Sequence, residues 1–104
     1  QAVSHKIADM RVHIELAELL LYKIGWLKKE DVSSFFETAM AKLFISECYL
    51  QDSLNALRLH GAFGYMEESG IEEGVRDAAA SIIYSGTSDI QRNIIAGWCG
   101  LKAY

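Results

Sequence analysis

From Val3 the apolar side chains fall at Val3, Ile7, Met10, Ile14, Ala17, Leu21 and Ile24, in steps that alternate between four and three. That rhythm keeps them on one side of an α-helix, and Leu20 and Leu27 widen the stripe to the breadth a globular bundle needs. A helix running to about Lys28 would be about 39 Å long at 1.5 Å per residue. Ala17 is the small member of the stripe, a place where a neighbouring helix can come close. Gly25 costs about 1 kcal/mol relative to alanine inside a helix, so the pattern predicts a bend or a close contact there.

Lys28 to Ser33 is a charged turn, and Ser34-x-x-Glu37 has the spacing of a capping box. The helix it opens has its seam at Phe36, Met40, Leu43, Glu47, Leu50, Leu54 and Leu57, with Ala41 and Phe44 alongside. Glu47 is the one polar intruder, placed to reach a salt bridge or a capping group. Gly61-Ala62-Phe63-Gly64-Tyr65 ends this helix, its glycines permitting positive φ and close approach to the backbone. Ser69-x-x-Glu72 opens a third helix with Ile71, Val75, Ala78 and Ile82 on its seam and Glu72 and Glu73 spaced to pair with Arg76. At Tyr84–Arg92 an apolar run stops, turns on Gly86 and restarts as a helix. Thr87 or Ser88 can cap it, and Ser88-x-x-Gln91 is again box-spaced. Its apolar face is Ile90, Ile94, Trp98 and Leu101. No proline interrupts any helical pattern and no strand pattern occurs. The predicted fold is all-α, an antiparallel up-and-down four-helix bundle forming one domain over residues 1–104.

Composition adds a constraint from outside the bundle. An apolar fraction of 51% in 104 residues is high, and implies a surface that meets another domain, a second subunit or a cofactor. A net charge of −4 gives no electrostatic basis for binding nucleic acid. No apolar run reaches the roughly 18 residues of a membrane span, and no signal-peptide layout is present. The first residue is Gln1 rather than Met, so the segment is expected to begin inside a longer chain. Cys48 and Cys99 make no disulfide framework and are expected to be buried thiols in a reducing compartment.

Candidate chemistry narrows quickly. His5, His13 and His60 have no Glu three residues ahead, and the scattered Cys and His show no zinc spacing, so no metal site is expected. His5 and His13 fall off the first seam and read as surface or boundary residues. Two glycine-containing breaks remain, Gly61–Tyr65 and Tyr84–Gln91, both at helix ends where backbone groups lack partners. Neither matches a phosphate loop or a dinucleotide fingerprint. The second is either a plain N-cap or an anion or carbonyl site at the positive end of a helix.

Several stretches, taken in order, carry a further signal: Ile7-Ala8-Asp9-Met10, Ala41-Lys42, Ser46-Glu47, His60-Gly61-Ala62-Phe63-Gly64-Tyr65-Met66, Arg76-Asp77-Ala78, and Ile83-Tyr84-Ser85-Gly86-Thr87-Ser88-Asp89-Ile90-Gln91-Arg92. Together they resemble the C-terminal helical domain of the acyl-CoA dehydrogenase flavoprotein family, over essentially the whole chain. The resemblance implies a cofactor, FAD, lying between C-terminal domains of a homodimer or homotetramer. It implies that Arg58, Gly61 and Ala62 reach the FAD of a neighbouring subunit, and that Gly86, Thr87 and Asp89 contact the FAD of their own. Tyr84 and Ser85 would line the acyl pocket, with Ser85 facing the flavin ring and the reacting carbons.

The family reaction removes the α-proton of an acyl thioester while the β-hydride passes to flavin N5, and many members place the glutamate base where this chain has Ser85. A serine hydroxyl with no basic neighbour in sequence cannot take that proton near neutral pH, so the base is expected upstream of this segment, which alone should be inactive. Arg58 replaces the family's usual glutamine, Ala62 its second glycine, and Ser69-Gly70 its tyrosine-proline. The implied partners are an acyl thioester of CoA or an acyl carrier, the protein's own N-terminal domains and an electron-transfer flavoprotein. Fatty acid metabolism in the cytoplasm or the mitochondrial matrix is the implied setting. Two alternatives stand beside this reading: a flavin-dependent oxidase or monooxygenase on the same fold, and a non-catalytic helical bundle that only dimerises.

Overall fold

The computed structural model describes residues 1–102. Its elements are α1 (Ala2–Lys29), α2 (Phe35–Tyr65), a 3₁₀ turn (Glu67–Ser69), α3 (Ile71–Ser81) and α4 (Ser88–Trp98). The fold is the all-α four-helix bundle that the patterning predicts, with no strand among the described residues. Within it α2 is the hub. Each of α1, α3 and α4 packs against α2, and no other pair of these α-helices comes within 8 Å between Cα atoms.

The best-covered positions are small. Ala39, Ala41 and Ser46 of α2, Ala78 and Ser81 of α3 and Ser88 of α4 are buried, joined by Gln91 and by a single large aliphatic, Leu27. Small side chains let helix backbones approach closely, so larger apolar residues are left to cover the flanks and to face outward. Among the described residues no helix is long and apolar enough to cross a membrane.

The face that α1 turns to α2 differs from the predicted stripe. Met10, His13, Ala17, Leu20 and Ile24 are half-buried and Leu27 is buried, whereas Val3, Ile7, Ile14 and Leu21 are exposed. His13, expected off the seam, lies on it. Its Nδ1 is 2.9 and 3.1 Å from the two carboxylate oxygens of Asp52, and its ring meets Phe44 edge-on with centroids 6.3 Å apart. The helix is apolar on more than one side, so two stripes were available and the partner helix selected between them. On α4, likewise, Ser88 and Gln91 are buried while Ile90 is exposed, and Trp98 stacks on Phe36 of α2 with ring centroids 5.6 Å apart.

None of the three predicted capping boxes forms. Ser34 is the N-cap of α2 but its side chain makes no capping bond. The N-cap of α3 is Gly70 at φ 73°, and Ser69 Oγ instead accepts from the Ile71 N–H at 3.1 Å. Thr87, not Ser88, caps α4, accepting from the Ile90 N–H at 3.2 Å. Glu72 and Glu73 make no ion pair with Arg76 among the described residues. Two helix ends are closed by Schellman pairs instead. At the end of α1, Val32 N–H donates to Leu27 O and Asp31 N–H to Lys28 O. At the end of α4, Leu101 N–H donates to Ala96 O and Gly100 N–H to Gly97 O, so Leu101 lies past the helix rather than on its face.

The two thiols are not alike: Cys99 is exposed, against expectation, and Cys48 is half-buried. Burial, then the nearby Asp52 and Glu47 carboxylates, pushes the Cys48 thiol above its ordinary pKa. Gly25 also departs from expectation. It sits in uninterrupted α1, and a Cβ built on it meets nothing within 4 Å. Gly25→Ala should therefore stabilise the chain by about 0.5–1 kcal/mol, read as a higher denaturant midpoint with an unchanged m-value.

Candidate functional site

The segment between α3 and α4 turns on two adjacent left-handed residues. Ser85 and Gly86 have positive φ in succession, 55° and 92°. A left-handed conformation is unfavourable for any residue with a Cβ, so Ser85 needs external support. The support comes from the backbone on one side and from two helices on the other.

Ile83 and Tyr84 N–H both donate to Ala80 O, at 3.0 and 3.1 Å, completing the last turn of α3, and Ser88 N–H donates to Ile82 O at 3.2 Å to close the loop. Buried Gln91 of α4 donates through Nε2 to Ser85 O at 3.2 Å. Its side chain thus reaches back as a box glutamine does, but to Ser85 rather than to the Ser88 amide. From α2, Lys42 Nζ donates to Ser81 O at 2.8 Å and to Gly86 O at 2.7 Å, and stands 5.8 Å from the centroid of the Tyr84 ring. Glu47 Oε1 accepts from Ser88 Oγ at 2.6 Å.

The signs of these two charges match the helix dipoles they meet. Lys42 lies at Ser81, the carbonyl-rich end of α3, and Glu47 at Ser88, the amide-rich start of α4. Among the described residues Glu47 thus meets neither a salt-bridge partner nor the cap of α4, which is Thr87, but the hydroxyl of the first helical residue, Ser88. The sequence signal for Lys42 is a lone cation between Ala41 and Leu43 on an otherwise apolar stretch of α2, which does not specify this role.

With its backbone held from below, the turn leaves Ile83, Tyr84, Ser85, Thr87 and Asp89 exposed. A cavity of about 350 Å³ opens beside it, lined by Leu21, Ile24, Ala41, Lys42, Ser81 and Tyr84 among others. Five of the predicted site residues, Tyr84, Ser85, Gly86, Thr87 and Asp89, are therefore one structural unit.

Arg58, Gly61 and Ala62 form a second unit. The helix of α2 breaks at Gly61, with φ 61° and ψ −146°, and the chain turns on to Tyr65. A Cβ at Gly61 would meet nothing within 4 Å, whereas one at buried Gly64 would lie 2.9 Å from His60 Cβ and 3.1 Å from Leu57 O. Gly61 is thus required for conformation and Gly64 for space. Arg58 is exposed and donates to Asn55 Oδ1 at 3.3 Å. Ser69 Oγ, where a tyrosine was the pattern of the resemblance, lies 3.0 Å from Gly64 O and ties the loop to the start of α3. No hydrogen bond among the described residues joins this unit to the Tyr84–Asp89 turn. No group of three or more His, Cys, Asp or Glu among them is arranged to hold a metal ion.

Residues 1–99 match the family model described as acyl-CoA dehydrogenase, C-terminal domain. Over 96 residues the chain is 44% identical to the L-prolyl-[peptidyl-carrier protein] dehydrogenase of Pseudomonas fluorescens, covering 92% of this chain and 25% of that protein. The crystal structure of an FAD-dependent dehydrogenase superposes with a TM-score of 0.92 at 48% identity, over 97% of this chain and 27% of that one. That of a prolyl acyl carrier protein oxidase superposes with a TM-score of 0.93 at 43% identity, over 95% and 26%. The chain thus spans about a quarter of the length of these relatives.

Gly86 tests the geometry of the turn directly. A Cβ there would sit 2.6 Å from Gln91 Nε2, at a φ of +92°. Gly86→Ala is expected to cost about 1–2 kcal/mol from the left-handed backbone alone, and more from the displaced glutamine. The second part should vanish in a Gln91→Ala background, so denaturant unfolding of the two single variants and the double variant should give a non-additive cycle.

Proposed function

Because the chain belongs to the acyl-CoA dehydrogenase family, we propose that it is the C-terminal domain of an FAD-dependent dehydrogenase that desaturates the α,β-bond of an acyl thioester. The observation that carries this reading is the anchored turn, whose exposed face presents Tyr84, Ser85 and Thr87 at the positive end of α4. The donor set suits the cofactor. Thr87, Asp89 and the bare Gly86 backbone offer hydroxyl, carboxylate and amide groups to a flavin in the same subunit. Exposed Arg58 suits a diphosphate as a charge-assisted donor, and Gly61, with open space around its Cα, admits close approach beside Ala62. In an oligomer these three serve the flavin of a neighbouring subunit. When bound, FAD supplies the acceptor for the β-hydride.

Tyr84 and Ser85 border the acyl group in this reading. Among the described residues no side chain hydrogen-bonds the Ser85 hydroxyl, so nothing activates it as a base. The α-proton therefore passes to a carboxylate outside residues 1–104, and Ser85 shapes the pocket. The large exposed apolar side chains of α1, among them Ile7, Leu19, Leu21, Tyr22 and Trp26, provide the surface for the remaining domains and for a second copy. The carrier is CoA or a carrier protein, and an electron-transfer flavoprotein takes the electrons. The similarity to a prolyl carrier-protein oxidase favours one second reading, in which oxygen is the electron acceptor on the same site.

The full-length flavoprotein should lose its visible flavin absorption anaerobically when given its acyl thioester, on CoA or on a carrier protein. A flavin that stays oxidised with every thioester of both kinds would overturn the dehydrogenase reading, and fast reoxidation by O₂ would favour the oxidase. Ser85→Ala should keep kcat within about threefold, whereas removal of a true general base costs on the order of 100-fold or more.

A further inference from the structure

We propose that Lys42 is a positioning residue for the flavin and acyl contacts, acting as a two-point clamp across the Ser81–Gly86 turn; this rests on the function proposed above. One ammonium group bonds carbonyls from both ends of the turn, Ser81 O at 2.8 Å and Gly86 O at 2.7 Å, so its position fixes the span between them. Ile82 to Ser85 lie inside that span, including Tyr84 and the left-handed Ser85. Nζ also stands over the Tyr84 ring, 5.8 Å from its centroid, an attraction that draws the exposed tyrosine toward the clamp.

Lys42 makes no ion pair with a carboxylate among the described residues. Its half-buried charge is satisfied by backbone dipoles at the end of α3, and the cation is free to act on the turn rather than being spent on an acid. Its base is rigid. Lys42 projects from the first third of the hub helix, where Ser46 Oγ donates back to the Lys42 carbonyl at 2.7 Å and Ala41 is buried. Gln91 of α4 separately holds Ser85 O. Releasing the clamp leaves the neutral Gln91 bond and the loop-closing backbone bond from Ser88 N–H to Ile82 O to hold Ser85 at φ 55°, and the backbone of Tyr84 and Ser85 then relaxes toward ordinary negative φ. Thr87 and the start of α4 follow, because Gly86 joins them to the turn.

The test uses the full-length protein with Lys42→Met, which keeps an unbranched side chain and removes its donors, and Lys42→Arg, which keeps charge and donors. Hydrogen exchange of the amides of Ile83, Tyr84, Ser88 and Ile90 should rise by about tenfold or more in Lys42→Met, with α1 amides unchanged. Misplacement of the turn should lower kcat by about 10- to 100-fold with a smaller change in KM and weaker FAD retention, and Lys42→Arg should recover most of each. Should Lys42→Met fail to fold, Lys42→Gln gives the same readouts. Unchanged exchange over 83–90, or parental kcat in a variant whose exchange has risen, overturns the proposal. If the parent protein binds no flavin, the proposed function fails instead, and the exchange measurement still decides whether Lys42 clamps the turn.

Discussion

Three helices share one support, and the fold depends on how closely they can approach it. Ala39, Ala41 and Ser46 on α2, with Ala78 and Ser81 on α3, are among the buried positions, so much of the contact is made by side chains of one or two heavy atoms. Close packing of small residues leaves little room for adjustment, because interiors are dense and any added volume is felt at once. It also brings the α2 backbone near enough for side chains of ordinary length to reach across to α3 and α4. Lys42 and Glu47, five residues apart on α2, use that proximity in opposite senses.

Their pairing turns a helix-helix junction into a site. The end of one helix and the start of the next have opposite partial charges, and a loop joining them is stabilised by a cation on one side and an anion on the other. Here both come from the same rigid helix, and the loop between them tolerates a left-handed serine. The polar groups that a turn ordinarily offers to water are taken up underneath, while Tyr84, Ser85, Thr87 and Asp89 stay accessible above. A turn so held is suited to present a cofactor and an acyl group with a fixed geometry without providing the proton acceptor itself.

Two of the three capping boxes lose to a competitor that spacing does not contain, and the Ser34 side chain makes no capping bond. Ser88 had its hydroxyl drawn to Glu47, 41 residues away, and the cap passed to Thr87. Gln91 reached back, but to the Ser85 carbonyl that the left-handed turn had swung toward it. Ser69 bonded the Gly64 carbonyl and left the cap position to Gly70. A local motif states which bonds are possible, and tertiary contacts then choose among them.

Helix number, the breaks at Gly61 and Gly86, the seam of α3 and the family follow from the sequence by itself, because they rest on periodicity, on glycine's access to positive φ and on ordered local motifs. Which stripe of α1 is covered, that His13 meets Asp52, and that Lys42 grips Ser81 and Gly86 were decided only in three dimensions. Those pairs are separated by 39 to 44 residues. A helix that is apolar on several sides carries no record of which side its neighbour will take, and a lysine in an apolar stretch does not name the carbonyls it will find. Only the packing of α2 against the other helices supplies that information.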